Sequence, residues 1–316
     1  MEKVTIFDVA KKAGVGKSTV SRVINNDENV KPETRKKVLK VIKELNYIPS
    51  KSARGMRSKQ SKVIGIIASR LDSTAENRTI RGILEEIYAK GYDVVLVESQ
   101  FSSEKTMEHV NMLINKEVDG LIIFAISGAK YDYLKKLKIP VVMVAQDVEG
   151  FTSILYDDYG SIDKVTKYIY ALGKKKIAYL GVDLSDRTTG YFRHKAYKDF
   201  CESTGLKEIN YFGKSSYRMG YELAKKVVKK NVEAIVCATD SIALGVKKYL
   251  TEKGYESILV SGVGNDELLK FLYPDHITVN LSYKDSGKRA AETIYKLIVG
   301  EKVDEKVIMK SELIKR

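Results

Sequence analysis

Little in this chain points to catalysis, export or a membrane. Cysteine is confined to Cys201 and Cys237, and histidine to His109, His194 and His276. Two cysteines in 316 residues make no disulfide framework; they read as small buried side chains in a reducing cytoplasm. The three histidines are scattered, so neither a metal site nor a histidine base is expected. A glycine-rich phosphate loop and a G-x-S-x-G turn are both missing, and no catalytic residues are expected. No apolar run approaches the ~20 residues of a membrane-spanning helix. The first residues are a polar helix start without a signal-peptide core, which argues against export.

What the chain has in excess is positive charge, unevenly placed. Residues 1–60 hold 15 Lys and Arg against 6 Asp and Glu, a net of +9, while the remaining 256 residues hold 40 against 35. A basic head on a nearly balanced body points to a polyanion partner at the N-terminal end.

Within that head, T-I-F-D-V-A-K-K-A-G-V-G-K-S-T-V-S-R-V-I-N (5–25) carries two helical patterns meeting at a glycine turn. Ile6, Val9, Ala10 and Ala13 share one face, and Thr5 with Asp8 makes a capping-box start. After Gly14-Val15-Gly16 the pattern resumes with Val20, Val23 and Ile24 apolar. Lys17, Ser18, Thr19, Ser21 and Arg22 then point outward, with Asn25 closing the stretch. This is helix–turn–helix, with a second helix dressed to enter a DNA major groove. A third helix is predicted from Pro32 to about Asn46, with Val38, Leu39, Ile42 and Leu45 inward and Val30 and Tyr47 completing the core. The head therefore spans 1–48.

Residues 49–61 follow, with Lys51, Arg54, Arg57 and Lys59. Ser50 to Met56 is too short to hold a helix alone. It is either a plain linker or a helix stabilised by DNA, in which Met56 supplies an apolar wedge between base steps.

From residue 62 onward, β-branched runs alternate with amphipathic helices. Strands are predicted at 63–69, 93–97, 120–124 and 141–145, with helices at 77–90, 103–116 and 131–138. The rhythm restarts at Tyr159: helices at 159–172, 194–202, 217–229, 241–253 and 285–299, and strands at 177–180, 234–238, 259–263 and 306–312. The fold class is α/β. A small all-α head precedes two doubly wound parallel halves, 62–158 (completed by about 280–304) and 159–279 (with the final strand, 305–316). Ligands in such sheets bind beyond the carboxyl ends of the strands. Here those ends carry Arg70, Asp72, Ser73, Phe101, Phe124, Gln146, Arg187, Thr189, Asp240, Asn265 and Asp266. That polar and aromatic set suits a sugar. Asp72 and Glu76 either accept from sugar hydroxyls or cap the following helix, and Asp240 is equally a good helix cap.

T-I-F-D-V-A-K-K-A-G-V, T-V-S-R-V-I-N and the S-A-R run ahead of the I-G-I-I strand together resemble the lactose/galactose repressor family of bacterial transcription regulators, along the whole chain. Within it, S-R-L-D-S-T-A-E-N (69–77), V-E-S-Q-F-S (97–102), S-D-R-T-T-G-Y-F-R-H-K-A-Y (185–197) and K-F-L-Y-P (270–274) are similar to the trehalose-responsive repressors. The resemblance implies a cytoplasmic homodimeric repressor with a periplasmic-binding-protein-like body and a double-stranded operator as partner. No cofactor is expected beyond a small-molecule effector. Lys17, Ser18 and Arg22 would contact base edges, with Thr5, Thr19, Ser21 and Asn25 beside them. Ser52, Ala53, Arg54 and Met56 would form a hinge helix on DNA, where the family more often has leucine at the wedge. The absence of a leucine-heptad tail favours a dimer over a tetramer. The implied effector is trehalose 6-phosphate, with Arg70 as the phosphate cation, Arg193 on a hydroxyl, and Tyr283 in the cleft. One departure stands out: Gln146 occupies a position where the trehalose-responsive group can carry arginine. Glutamine donates to phosphate without charge, so free trehalose or another disaccharide is the alternative. A phosphoprotein corepressor is a further family option, and a transport-type sugar-binding protein is disfavoured by the head.

Overall fold

A computed structural model describes residues 4–47 and 60–315. The chain divides into two compact units, Met1–Val63 and Ile64–Arg316.

In the first unit three helices enclose one small core: α1 (Ile6–Ala13), α2 (Lys17–Ile24) and α3 (Pro32–Glu44). Val9, Ala13, Val20, Val23 and Val38 are essentially sealed from solvent, and Val30, Val41 and Tyr47 close the edges. Val41 takes the inward position expected of Leu39, which is half exposed. Gly14 adopts φ 62°, ψ 37°, the left-handed turn that ends α1 and that a side chain would strain. Arg35 clips the α2–α3 loop, donating to the Asp27 carbonyl at 2.6 Å and to Asn26 at 3.3 Å. Residues Ser52, Ala53, Arg54 and Met56 lie outside the described residues.

The second unit contains two sheets built to one plan. The first half runs β1 (Val63–Ala68), α4 (Thr74–Ala89), β2 (Asp93–Glu98), α5 (Ser103–Asn115), β3 (Gly120–Phe124), β4 (Val141–Val144) and β5 (Thr152–Tyr156). The second half runs α6 (Asp158–Ala171), β6 (Ile177–Val182), α7 (Arg193–Thr204), β7 (Asn210–Gly213), α8 (Tyr217–Val227), β8 (Ala234–Cys237), α9 (Asp240–Lys253), β9 (Leu259–Val263), α10 (Glu267–Leu272) and β10 (Ile277–Asn280). α11 (Tyr283–Ile298), β11 (Lys306–Met309) and β12 (Glu312–Ile314) close the chain. The strand orders are β11-β5-β4-β3-β1-β2 and β12-β10-β9-β8-β6-β7. Each sheet thus repeats the same doubly wound order, with a switch point beside its first strand. β1, β3 and β4 are buried along their whole length, which is why they read as continuous apolar runs.

Three strands went unread in the sequence: β5, β7 and β10. Each is only four or five residues long and mixes polar with apolar positions. The helix expected at 131–138 is a short 3-10 turn, Asp132–Lys136. The single final strand expected at 306–312 is two strands. Lys306–Met309 pairs in parallel with β5 of the first sheet, and Glu312–Ile314 pairs antiparallel with β10 of the second. The last residues therefore serve both halves rather than the second alone.

Helices pack unusually closely at one crossing in each half. α4 meets α11 where a Cβ on Gly82 would stand 2.0 Å from the Lys284 carbonyl oxygen, and one on Gly287 1.9 Å from that of Thr79. α8 meets α9 the same way, Gly220 against Ile242 O at 2.1 Å and Gly245 against Tyr217 O at 1.8 Å. Only glycine permits either approach.

Candidate nucleic-acid interface and effector cavity

In the head, α2 presents Lys17, Ser18 and Arg22 to solvent, with Thr19, Ser21 and Asn25 half buried. Lys17 sets its ammonium 4.6 Å above the exposed Phe7 ring. Arg22 reaches 4.0 Å from Asp27, and Asn25 donates to Ser21 at 3.5 Å. Thr5 is engaged locally: its backbone N–H and its hydroxyl both donate to Asp8, at 2.7 and 2.6 Å. Those bonds hold the Asp8 carboxyl below the usual range. Apolar side chains hold α2 on one face and leave donors on the other, the form in which a helix reads base edges.

In the body, a cavity of about 170 Å³ lies beyond the strand ends. Its lining includes Arg70, Asp72, Ser73, Asp240, Asp266 and Tyr283 of the expected set, together with Arg78, Ser216 and Tyr217, which sequence reasoning missed. Four helices contribute lining residues from their N-terminal ends, α4, α8, α9 and α11, and Asp266, the cap of α10, lines it too. Helix N-termini favour negative charge, and here they stand beside Arg70 and Arg78 on one side and Asp72, Asp240 and Asp266 on the other. Ser73, Ser216, Thr239 and Asp266 each accept from a first-turn N–H of the helix they precede. α4 accordingly starts at Thr74, earlier than the Asn77 predicted.

The charged groups are tightly arranged. Arg70 Nε stands 3.5 Å from Asp72 Oδ1. Asp240 is almost fully buried and accepts from His276 Nε2 at 3.1 Å, from the Thr278 hydroxyl at 2.9 Å and from the Asp266 backbone N–H at 2.8 Å. It sits in the first turn of α9 but is not its cap; that is Thr239.

Other expected residues lie elsewhere. Glu76 turns inward and accepts from both the hydroxyl and the backbone N–H of Ser69, so it braces the end of β1 rather than lining the cavity. Burial pushes its carboxyl up, against the pull of the Ser69 bonds. Phe124 is buried in the apolar core of the first half, and Phe101 points outward with 55% of its surface exposed. Arg193 is buried among Asp158, at 2.7 Å from both Nε and Nη2, the Ala238 carbonyl at 2.5 Å and the Tyr283 hydroxyl at 3.5 Å. Burial pushes Asp158 up and Arg193 pulls it back, and the two short contacts are those of an ion pair. Gln146 donates to the Ala125 carbonyl and to Ser127 Oγ, and Ser127 Oγ also accepts from the Arg187 backbone N–H at 2.8 Å. Arg187 lays its guanidinium 5.5 Å over Phe192, and Thr189 is half buried in the same turn. Asn265 borders the cavity loop, with its side chain turned to Lys270.

A helix-turn-helix head joined to a two-sheet body with a polar cavity at its strand ends is the build of a ligand-responsive DNA-binding regulator. Residues 5–50 match the family model for bacterial regulatory proteins of the lacI family, and residues 61–316 match that for periplasmic binding proteins and the sugar-binding domain of the LacI family. The chain belongs to the LacI family of DNA-binding transcriptional regulators. It is 40% identical over 98% of its length to the HTH-type transcriptional regulator TreR of Salmonella typhimurium, 99% of which is covered. The TreR of Escherichia coli is 39% identical with the same coverage. Among solved structures, the trehalose repressor from Escherichia coli superposes with a TM-score of 0.78 at 36% identity, over 81% of this chain and all of that one. A Lac repressor dimer bound to operator and an anti-inducer superposes at 0.88 with 26% identity, over 100% of this chain and 98% of that one. Among the described residues no helix is long and apolar enough to cross a membrane.

Proposed function

We propose that the chain is a cytoplasmic homodimeric repressor that sits on an operator controlling trehalose uptake and breakdown genes, and that trehalose 6-phosphate releases it. The carrying observation is the cavity itself. Arg70 and Arg78 supply charge for a phosphate, and helix N-termini surround them. Asp72, Asp240 and Asp266 supply acceptors for sugar hydroxyls in the same space. The similarity to the trehalose repressor from Escherichia coli supports the sugar, and the Lac repressor dimer on its operator supports paired heads on DNA.

Ligand sites usually measure ~300–1,000 Å³. The cavity, about 170 Å³, is smaller than that, which fits a body whose two halves rearrange around an entering sugar phosphate. Effector binding then favours a form of the body unsuited to operator binding. Free trehalose is the second reading, favoured by Gln146, which brings no charge and spends its amide on Ala125 and Ser127.

The test is a gel shift of the full chain on a palindromic operator, titrated separately with trehalose 6-phosphate, trehalose and glucose 6-phosphate. Release by trehalose 6-phosphate at the lowest concentration is expected. Release by trehalose alone selects the second reading, and release by none removes the trehalose assignment.

A further inference from the structure

Arg78 lies in the second turn of α4, in the first half, yet its hydrogen bonds go to the second. Its Nη1 donates to the carbonyl of Gly264 at 2.6 Å and to that of Asn265 at 3.1 Å. These carbonyls belong to the loop after β9. Asn265 has φ 55°, an uncommon conformation for a residue with a side chain. Two further bonds fix the loop: Asn265 N–H donates to Thr278 Oγ at 3.0 Å, and Asp266 N–H to Asp240 at 2.8 Å. Arg78 thus ties the first half to the buried Asp240–His276–Thr278 cluster of the second. Among the described residues its recorded partners are backbone carbonyls and no carboxylate. Arg70, the other cavity arginine, already stands against Asp72. Guanidinium held only by neutral carbonyls keeps its full charge available to an anion in the same cavity.

We propose that Arg78 is a shared latch. In the unliganded chain it bridges the halves through the 264–265 carbonyls. When an anionic sugar enters, its guanidinium turns to the phosphate, supplies a second cation beside Arg70, and frees the loop. One residue then sets both the preference for a phosphorylated sugar and the coupling of binding to movement of the halves. This rests on the trehalose 6-phosphate reading above.

The experiment measures affinities of the full chain for trehalose 6-phosphate and for trehalose by calorimetry, in wild type and in Arg78→Gln, Arg78→Lys and Arg70→Gln. Small-angle scattering of each unliganded form reports the separation of the halves. Wild type should prefer the phosphorylated sugar. Arg78→Gln should cut that preference by about tenfold or more, the scale of one charged hydrogen bond, and should scatter as a more open particle. Arg78→Lys should retain part of the preference but not the closed form, because the shorter side chain does not carry its donors to the two carbonyls that Nη1 reaches. An unchanged preference ratio in Arg78→Gln, with both affinities falling together, reduces Arg78 to a structural prop and overturns the proposal. So does a preference lost only in Arg70→Gln. If wild type itself shows no preference, the phosphate reading fails, and the anion role of Arg78 fails with it. The scattering arm then separately reports whether the bridge exists.

Discussion

His276 directs Nε2 at Oδ1 of Asp240 from 3.1 Å, with both side chains sealed from solvent, while its Nδ1 finds no hydrogen-bond partner among the described residues. The imidazole is therefore a donor beneath the cavity floor, aimed at the one carboxylate that also receives Thr278 and the Asp266 N–H. Asp240→Asn replaces an acceptor-only group with one that must offer two donors to a ring of donors. The body is expected to lose about 1–3 kcal/mol of stability, the usual cost of an unmet buried polar group, measured by urea unfolding. An unaltered midpoint would show that the cluster does not depend on the charge.

Arg193 and Asp158 form a buried ion pair between the starts of α6 and α7. Removing one partner strands a charge. Arg193→Met should cost about 3–5 kcal/mol, and the double change Arg193→Met with Asp158→Leu should recover much of it. A double-mutant cycle on unfolding free energies checks this; strictly additive effects would mean the pair is not coupled.

Gly82→Ala and Gly287→Ala should each destabilise the body by about 1–3 kcal/mol through overpacking, because the added Cβ meets a backbone carbonyl rather than a movable side chain. Thermal unfolding reads the shift. Wild-type stability in either variant would mean that α4 and α11 sit farther apart than described.

Glu76 predicts a pH effect of defined sign. Burial raises its folded pKa above the ordinary 4.5, against its hydrogen bonds to Ser69. In the window above 4.5 the folded chain holds a proton that the unfolded chain has released, so stability falls as pH rises through the folded value. Glu76→Gln abolishes that contribution. The stability difference between wild type and variant should move in favour of the variant from pH 4.5 upward and then level off. Parallel pH profiles for the two proteins would contradict the assignment.

On the head, Arg22→Ala should weaken operator binding by about 1–3 kcal/mol and relax sequence preference at one position if it reads a base. Lys17→Ala should flatten the salt dependence if it meets phosphate. Filter binding across a salt series separates the two. A salt-independent affinity in wild type would count against an electrostatic role for the basic face.

Strand runs such as Val63–Ala68 and Gly120–Phe124 were legible because burial on both faces removes every polar residue. β7 was not, since Asn210–Gly213 is half buried at a sheet edge. With β7 unread, nothing marked Ser216 and Tyr217 as lying at a strand end, and the second half's share of the cavity was missed. Arg70, Asp72 and Ser73 were visible because they directly follow a readable strand. Arg78 was hidden because a helix surface arginine gives no sign of which carbonyl it will meet, and its acceptors lie 186 and 187 positions away. Arg193 was seen, but its partner Asp158, 35 residues earlier, was not, and that partner keeps its guanidinium inside the body.

The glycine crossings have a mechanical consequence. At the glycine crossings backbone meets backbone, so α4 and α11 have no rotamer there to take up slip, and neither do α8 and α9. Each pair transmits displacement like a single stiff lever whose short end borders the cavity. A shift of a fraction of an ångström at Ser73 or Ser216 is then carried along about three to four turns of helix to the opposite rim of its half, where a softer, leucine-cushioned contact would have absorbed it.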